Sequence, residues 1–113
     1  MYIKKDIERI NEIILNKLNN IEKLILFGSY AKGTATDESD LDFAIITQKK
    51  IKRITKLQIL NQLWSDLAKE NYEVDLVIKP LEDFDNEKNI IGSLAYTIQK
   101  SGRILWKTTQ NKN

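Results

Sequence analysis

Neither cysteine nor histidine occurs among the 113 residues. Without cysteine there can be no disulfide, no thiolate nucleophile and no cysteine-based zinc site. Without histidine the side chain most used for proton transfer near neutral pH is missing, so any chemistry falls to carboxylates, lysines and tyrosines. Long apolar runs are missing as well. No stretch approaches the roughly 20 residues that a bilayer-spanning helix needs, so no membrane partner is expected. The opening MYIKKDIERI is broken by charges where a signal peptide has a continuous apolar core, which makes a cytoplasmic location the expectation. Nor is there an excess of one charge: 18 basic against 16 acidic side chains leave a formal +2, which argues against direct nucleic-acid binding. Proline occurs only once and glycine only four times.

What is present describes one globular domain. With 42% hydrophobic and 30% charged residues the chain can build a single core, but it is too short for a catalytic domain plus a separate substrate domain. The spacing of Ile3, Ile7, Ile10, Ile14, Leu18 and Ile21 predicts a first amphipathic helix that stops near Asn19 and Asn20. KLILF and LDFAII read as two buried strands joined by a segment from Gly28 to Ser39. Ile54, Leu57, Leu60, Trp64 and Leu67 predict a second helix, with Trp64 in the core and Asn71 as a left-handed cap. YEVDLVI, closed by Pro80, is a third strand; LEDFDNE reads as an acidic loop. Ile90, Ile91, Leu94 and Ile98 predict a third helix ending at Gly102, with Gly92 inside it. RILW is a short last strand. The expected fold is α/β or α+β, a mixed sheet of about four strands covered by three helices, in one domain over residues 1–107 with a polar tail at 108–113. Phe84, Tyr96 and Trp106 fit either a core or a partner surface.

The segment LILFGSYAKGTATDESDLDFAII concentrates the chemistry. Side chains alternate along a strand, so Asp40 and Asp42 point the same way, their Cα atoms roughly 6.6 Å apart. Asp75 sits in an apolar setting between Val74 and Leu76, where an unpaired charge is costly to bury. If its strand lies beside that of Asp40 and Asp42, three carboxylates meet. Oxygen ligands without histidine or cysteine suit magnesium or manganese, which hold phosphate oxygens while keeping some of their waters. The turn at Gly28 and Ser29 permits close approach of backbone N–H groups to a phosphate, with the hydroxyl as a further donor and Lys32 as added positive charge. Ser29 taken alone fits a helix cap as well.

Two other motifs fail on this stretch. A phosphate loop of the form G-x-x-x-x-G-K-[ST] finds Gly28 and Gly33 correctly separated but Thr34 in place of the lysine. A calcium loop opening at Asp40 would need glycine at its sixth position, which is Ile45. The basic residues of KKIKRITK, at 49–56, fall at the start of a helix, where the macrodipole disfavours them; a solvated face is the expected explanation over contact with phosphates.

GSYAKGTATDESDLD, with Gly-Ser, the ten residues Tyr30 to Ser39, and then Asp-x-Asp, resembles the signature of the DNA polymerase β-like nucleotidyltransferase superfamily. The leading helix, the later VDLVI with its third acid and the short chain resemble the minimal nucleotidyltransferase (MNT) group, whose members often pair with a HEPN-domain ribonuclease as antitoxin and toxin. That resemblance implies that Gly28, Ser29 and Lys32 hold the triphosphate of ATP. It implies that Asp40 and Asp42 bind two magnesium ions, with Asp75 assisting the metal site or taking the proton of the attacking hydroxyl. The reaction implied is transfer of AMP to a tyrosine of the HEPN toxin. Lys32 stands where the group often has arginine, which keeps the charge and loses the bidentate fork. Two other readings stand beside this one: a module that neutralises its partner by occlusion, and a transferase acting on a small molecule such as an aminoglycoside. In the latter case the acceptor must be held by a dimer partner or another subunit.

Overall fold

The computed structural model describes residues 1–109 of the chain. Helix α1 (Lys4–Lys17) leads into the central strand β1 (Ile21–Phe27), and a single turn of helix, α2 (Gly28–Lys32), follows directly. Strand β2 (Leu41–Thr47) crosses through helix α3 (Arg53–Ala68) to strand β3 (Val74–Pro80), and helices α4 (Leu81–Glu87) and α5 (Leu94–Ser101) precede strand β4 (Arg103–Lys107). The sheet order is β3-β2-β1-β4. β1 runs antiparallel to both β2 and β4, while β2 and β3 are parallel, as a strand-helix-strand crossover requires. The mixed sheet of four strands is the one the sequence predicts. No helix among the described residues is long and apolar enough to cross a membrane.

β2 reads as an apolar run because both of its faces are covered. One face buries Leu41, Phe43 and Ile45 with Leu24 and Leu26 against Ile10 and Ile14 of α1 and Leu63 and Leu67 of α3. The opposite face buries Ala44 and Ile46 with Ile25 and Phe27 against Phe84 of α4 and Ala95 and Ile98 of α5. The predicted alternation holds within β2, and Asp42 belongs to the face that α4 and α5 cover; Asp40, expected on that same side, lies before the strand.

Among the described residues five helices replace the three expected. LEDFDNE is α4, not a loop. Glu82 and Asp83 fall in its first turn, where negative charge complements the helix N-terminus, and Leu81 and Phe84 share the side that meets the sheet. Lys79 closes the far end by an ion pair to Glu87 at 2.8 Å. The helix predicted from Ile90 begins only at Leu94. Gly92 has φ +92°, a left-handed value that breaks the helix, and Ile90 and Ile91 are exposed in the turn. Ser93 starts the helix by accepting from Tyr96 N–H at 3.0 Å, and its hydroxyl donates to the Glu87 carbonyl at 2.9 Å. Ser93→Ala is expected to destabilise the fold by about 1 kcal/mol, read as a lower midpoint in urea unfolding with an unchanged slope.

The second predicted helix is present, but its buried face runs through Leu60, Leu63 and Leu67, so Ile54, Leu57 and Trp64 stand to one side and are exposed. Trp64 is not core; its indole N–H donates to the Val74 carbonyl at 3.0 Å and tethers α3 to the start of β3. Asn71 is left-handed as predicted, with φ 64°. Phe84 is fully buried, whereas Tyr96 and Trp106 are half-buried. The tail expected at 108–113 is described only to Thr109; within it Thr108 N–H donates to the Glu22 carbonyl at 2.9 Å, and 110–113 lie outside the described residues.

Candidate functional site

Parallel pairing of β2 with β3 sets Asp42 level with Asp75. Directly opposite residues of neighbouring strands point to the same side of a sheet, so the two carboxylates face each other above the α4 and α5 face. On the other flank β1 pairs Phe27 with Asp42, which places the next residue, Gly28, against the Asp42 side chain. A Cβ at position 28 would collide with Asp42 Oδ2 and come 3.0 Å from Cγ. Gly28 also has φ +73°, so both backbone conformation and close approach demand glycine here. The antiparallel pairing carries this second reason, and a motif read as a row of spacings does not display it.

α2 springs from that glycine. Phe27 is its N-cap, so Ser29 lies inside the helix and is not the cap that the simpler reading allowed. The helix ends after one turn at Gly33, whose left-handed backbone (φ 76°) lets its N–H reach the Ser29 carbonyl. Lys32 is exposed in the last turn.

Asp40 lies one residue before β2 and is exposed, as is Asp75, while Asp42 is half-buried. The Asp42 carboxyl is held above the ordinary carboxylate range. Burial is the first cause, followed by the negative charges of Asp75 and Asp40 and a hydrogen bond shared with Asp75. The two carboxyls crowd each other's charge, a repulsion that a bound cation would relieve. The donor set, carboxylate oxygens alone with one side open to solvent, fits a hard divalent ion such as magnesium. Among the described residues no three acidic side chains, as they stand, enclose a metal position. Asp40, outside the strand, borders a hollow with Tyr2, Tyr30 and Glu73 and must turn toward the pair to complete a set of three.

The basic run at 49–56 sits at the far end of the sheet. It follows Thr47, whereas Asp42 is near the opposite end of β2, so about 17 Å of strand separates them. Lys49, Lys50, Lys52 and Arg53 are exposed, which agrees with a solvated face.

This geometry meets an independent finding. A model of the family described as polymerase beta, nucleotidyltransferase matches residues 8–111. The chain belongs to the polymerase beta nucleotidyltransferase family. It is a nucleotidyltransferase by that membership. Among family relatives, protein adenylyltransferase MntA of Shewanella oneidensis is 32% identical over 104 residues, spanning 89% of this chain and 67% of its own. Solved structures share the nucleotidyltransferase fold at lower identity. One is a toxin-antitoxin complex with AMP-PNP, matched with a TM-score of 0.61 and 24% identity over 90% of this chain and 73% of that one. Another is the complex of a tri-AMPylated Shewanella oneidensis HEPN toxin with its MNT antitoxin, matched with a TM-score of 0.58 and 21% identity over 93% and 72%.

Proposed function

We propose that this nucleotidyltransferase moves AMP from ATP onto a tyrosine hydroxyl of a HEPN-type toxin and serves as that toxin's antitoxin. The observation that carries the reading is the convergence of Asp42, Asp75 and the Gly28 turn on one open edge of the sheet. Its biological side is supported by the relatives: a named protein adenylyltransferase, and complexes that contain an ATP analogue or an AMPylated toxin.

Backbone N–H groups of the first turn of α2 and the Ser29 hydroxyl bind phosphate oxygens, and Lys32 adds charge to the same side. Asp40, Asp42 and Asp75 would hold magnesium, or manganese in its place, which when bound neutralises phosphate oxygens and lowers the proton affinity of the attacking hydroxyl. The tyrosine oxygen forms a bond to the α-phosphorus as the α–β anhydride bond breaks. Pyrophosphate leaves with the bonding pair, and the hydroxyl proton passes to Asp75, the more exposed acid of the facing pair. A chain without histidine can run this reaction because positioning and charge neutralisation supply most of its catalysis.

Incubation of the purified chain with magnesium-ATP and its HEPN partner is expected to add AMP mass to a tyrosine-containing peptide of the partner and to silence its ribonuclease activity. The Asp40→Asn/Asp42→Asn double variant should still bind the partner but leave it active. Neutralisation that survives this change, with no mass added, would instead establish occlusion.

A further inference from the structure

Gly28 and Lys32 are one helical turn apart and so share a side of α2. The Cα–Cβ bond of a helical residue tilts toward the N-terminus, so Lys32, in the last turn, leans toward the end that Gly28 opens. α5 stands across from it. Ala95 and Ile98 of α5 are buried against the sheet, while Tyr96, Thr97, Lys100 and Ser101 border, together with Lys32, a hollow of about 260 Å³. Among the described residues no carboxylate lines it. Lys100 Nζ donates to Tyr96 Oη at 3.3 Å and lies 5.5 Å from the centre of that ring, so the phenol O–H and the remaining ammonium hydrogens stay available. The Thr97 and Ser101 hydroxyls donate to backbone carbonyls of their own helix and offer lone pairs only, so the lysines and the phenol are the donors here. Two ammonium groups facing one hollow repel each other, and an anion between them converts repulsion into attraction.

We propose that this hollow receives the β- and γ-phosphates of the nucleoside triphosphate, and the pyrophosphate before it departs, with Lys100 and Tyr96 as binding residues beyond the Gly-Ser turn. The proposal rests on the nucleotidyl-transfer reading and adds the leaving-group side of the site. α2 rises only about 6 Å from Gly28 to Lys32, so an α-phosphate beside Asp42 and a polyphosphate tail on the hollow lie on one continuous surface. α5 thereby supplies a cation from the same domain that carries the Gly-Ser turn.

The test is calorimetric binding of pyrophosphate, ATP, AMP and inorganic phosphate to the full chain, with KM and kcat measured alongside. Lys100→Met, at an exposed position, is expected to weaken pyrophosphate about tenfold and raise the KM for ATP by a similar factor. AMP affinity should stay within about twofold, since AMP lacks the distal phosphates. Lys100→Arg should retain most of the affinity, and Lys4→Met, at an exposed site on α1, should change nothing. Unchanged pyrophosphate and ATP binding in both Lys100→Met and the Lys32→Met/Lys100→Met double variant overturns the proposal. Equal weakening of all four ligands overturns it too, because it marks an unspecific anion patch. Absence of ATP and pyrophosphate binding by the unmodified chain removes the nucleotide reading itself, an outcome distinct from the other two.

Discussion

Asp42→Asn is expected to lower kcat/KM for AMP transfer about a thousandfold while raising the midpoint of thermal unfolding in the absence of divalent cations. The two effects have one cause. Asp42 is pressed between a half-buried environment, the facing Asp75 and the nearby Asp40, and each raises its proton affinity. Its folded carboxyl therefore titrates above the unfolded one. For such a group the proton-linked contribution to stability is complete below the unfolded pKa and is lost as pH rises through the folded value. At neutral pH the empty site carries the cost of an ionised carboxylate facing a second one, and the amide removes that cost. Because the pair is solvent-screened, the gain is small, about 1–4 °C, at the 4–8 °C per kcal/mol of a domain this size.

Magnesium is expected to reverse the ranking. It should raise the unfolding midpoint of the unmodified chain in proportion to the logarithm of its concentration and leave Asp42→Asn nearly unmoved. On the proposed reading protons and the cation compete for the same oxygens, so the magnesium concentration giving half the effect should fall as pH rises through the raised titration of Asp42. Differential scanning calorimetry with and without chelator measures both statements. An Asp42→Asn variant less stable than the parent without cations would show that the carboxylate is structural, and the functional reading would lose its electrostatic basis. The opposite ordering fits a site that accepts destabilisation in return for a cation position.

Most of the architecture was legible because the chain's apolar periods are strong where the core is deep. The four strands and α1 follow from runs that bury both or one of their faces, and Asn71 was readable as a left-handed residue from its chemistry alone. The errors fall where local signals oppose tertiary packing. LEDFDNE looks like a loop by charge, yet Phe84 inserted beneath it makes it a helix. Trp64 looks like core by period, but three leucines turned the helix by roughly one residue's rotation and left the indole at the surface. Of the site, Asp42, Asp75 and Gly28 were expected and stand together, while Asp40 is only near, because the residue before a strand does not inherit its alternation. Lys100 gave no sequence signal, and Tyr96 was legible only as core or partner surface. Their place depends on how α5 lies beside α2, which is a matter of packing and not of motif.

Gly28→Ala and Gly33→Ala make a matched pair that separates backbone strain from crowding of the acid. Both glycines flank α2 with nearly equal positive φ, +73° and +76°, so an alanine at either costs about 1–2 kcal/mol for the left-handed backbone. Their surroundings differ completely. Among the described residues beyond its own chain neighbours, none comes within 4 Å of a Cβ at position 33, whereas at position 28 it would collide with the Asp42 carboxylate. Gly33→Ala should therefore lower the unfolding midpoint and keep most of the transfer activity once measured below that midpoint. Gly28→Ala should lose the same stability plus whatever displacing Asp42 costs, and its activity should fall by about a hundredfold or more, since a displacement near 1 Å in a reacting constellation has that effect. Magnesium gives the sharper readout. In Gly33→Ala it should stabilise as much as in the parent, and in Gly28→Ala that increment should shrink, because the collision moves an oxygen proposed to bind the metal and not merely the chain. Equal activity losses in the two variants would mean that α2 matters only as a turn. A loss confined to position 28 means that this glycine exists to let a carboxylate and a phosphate-binding turn occupy adjoining space, which is the physical condition for phosphoryl chemistry at this edge of the sheet.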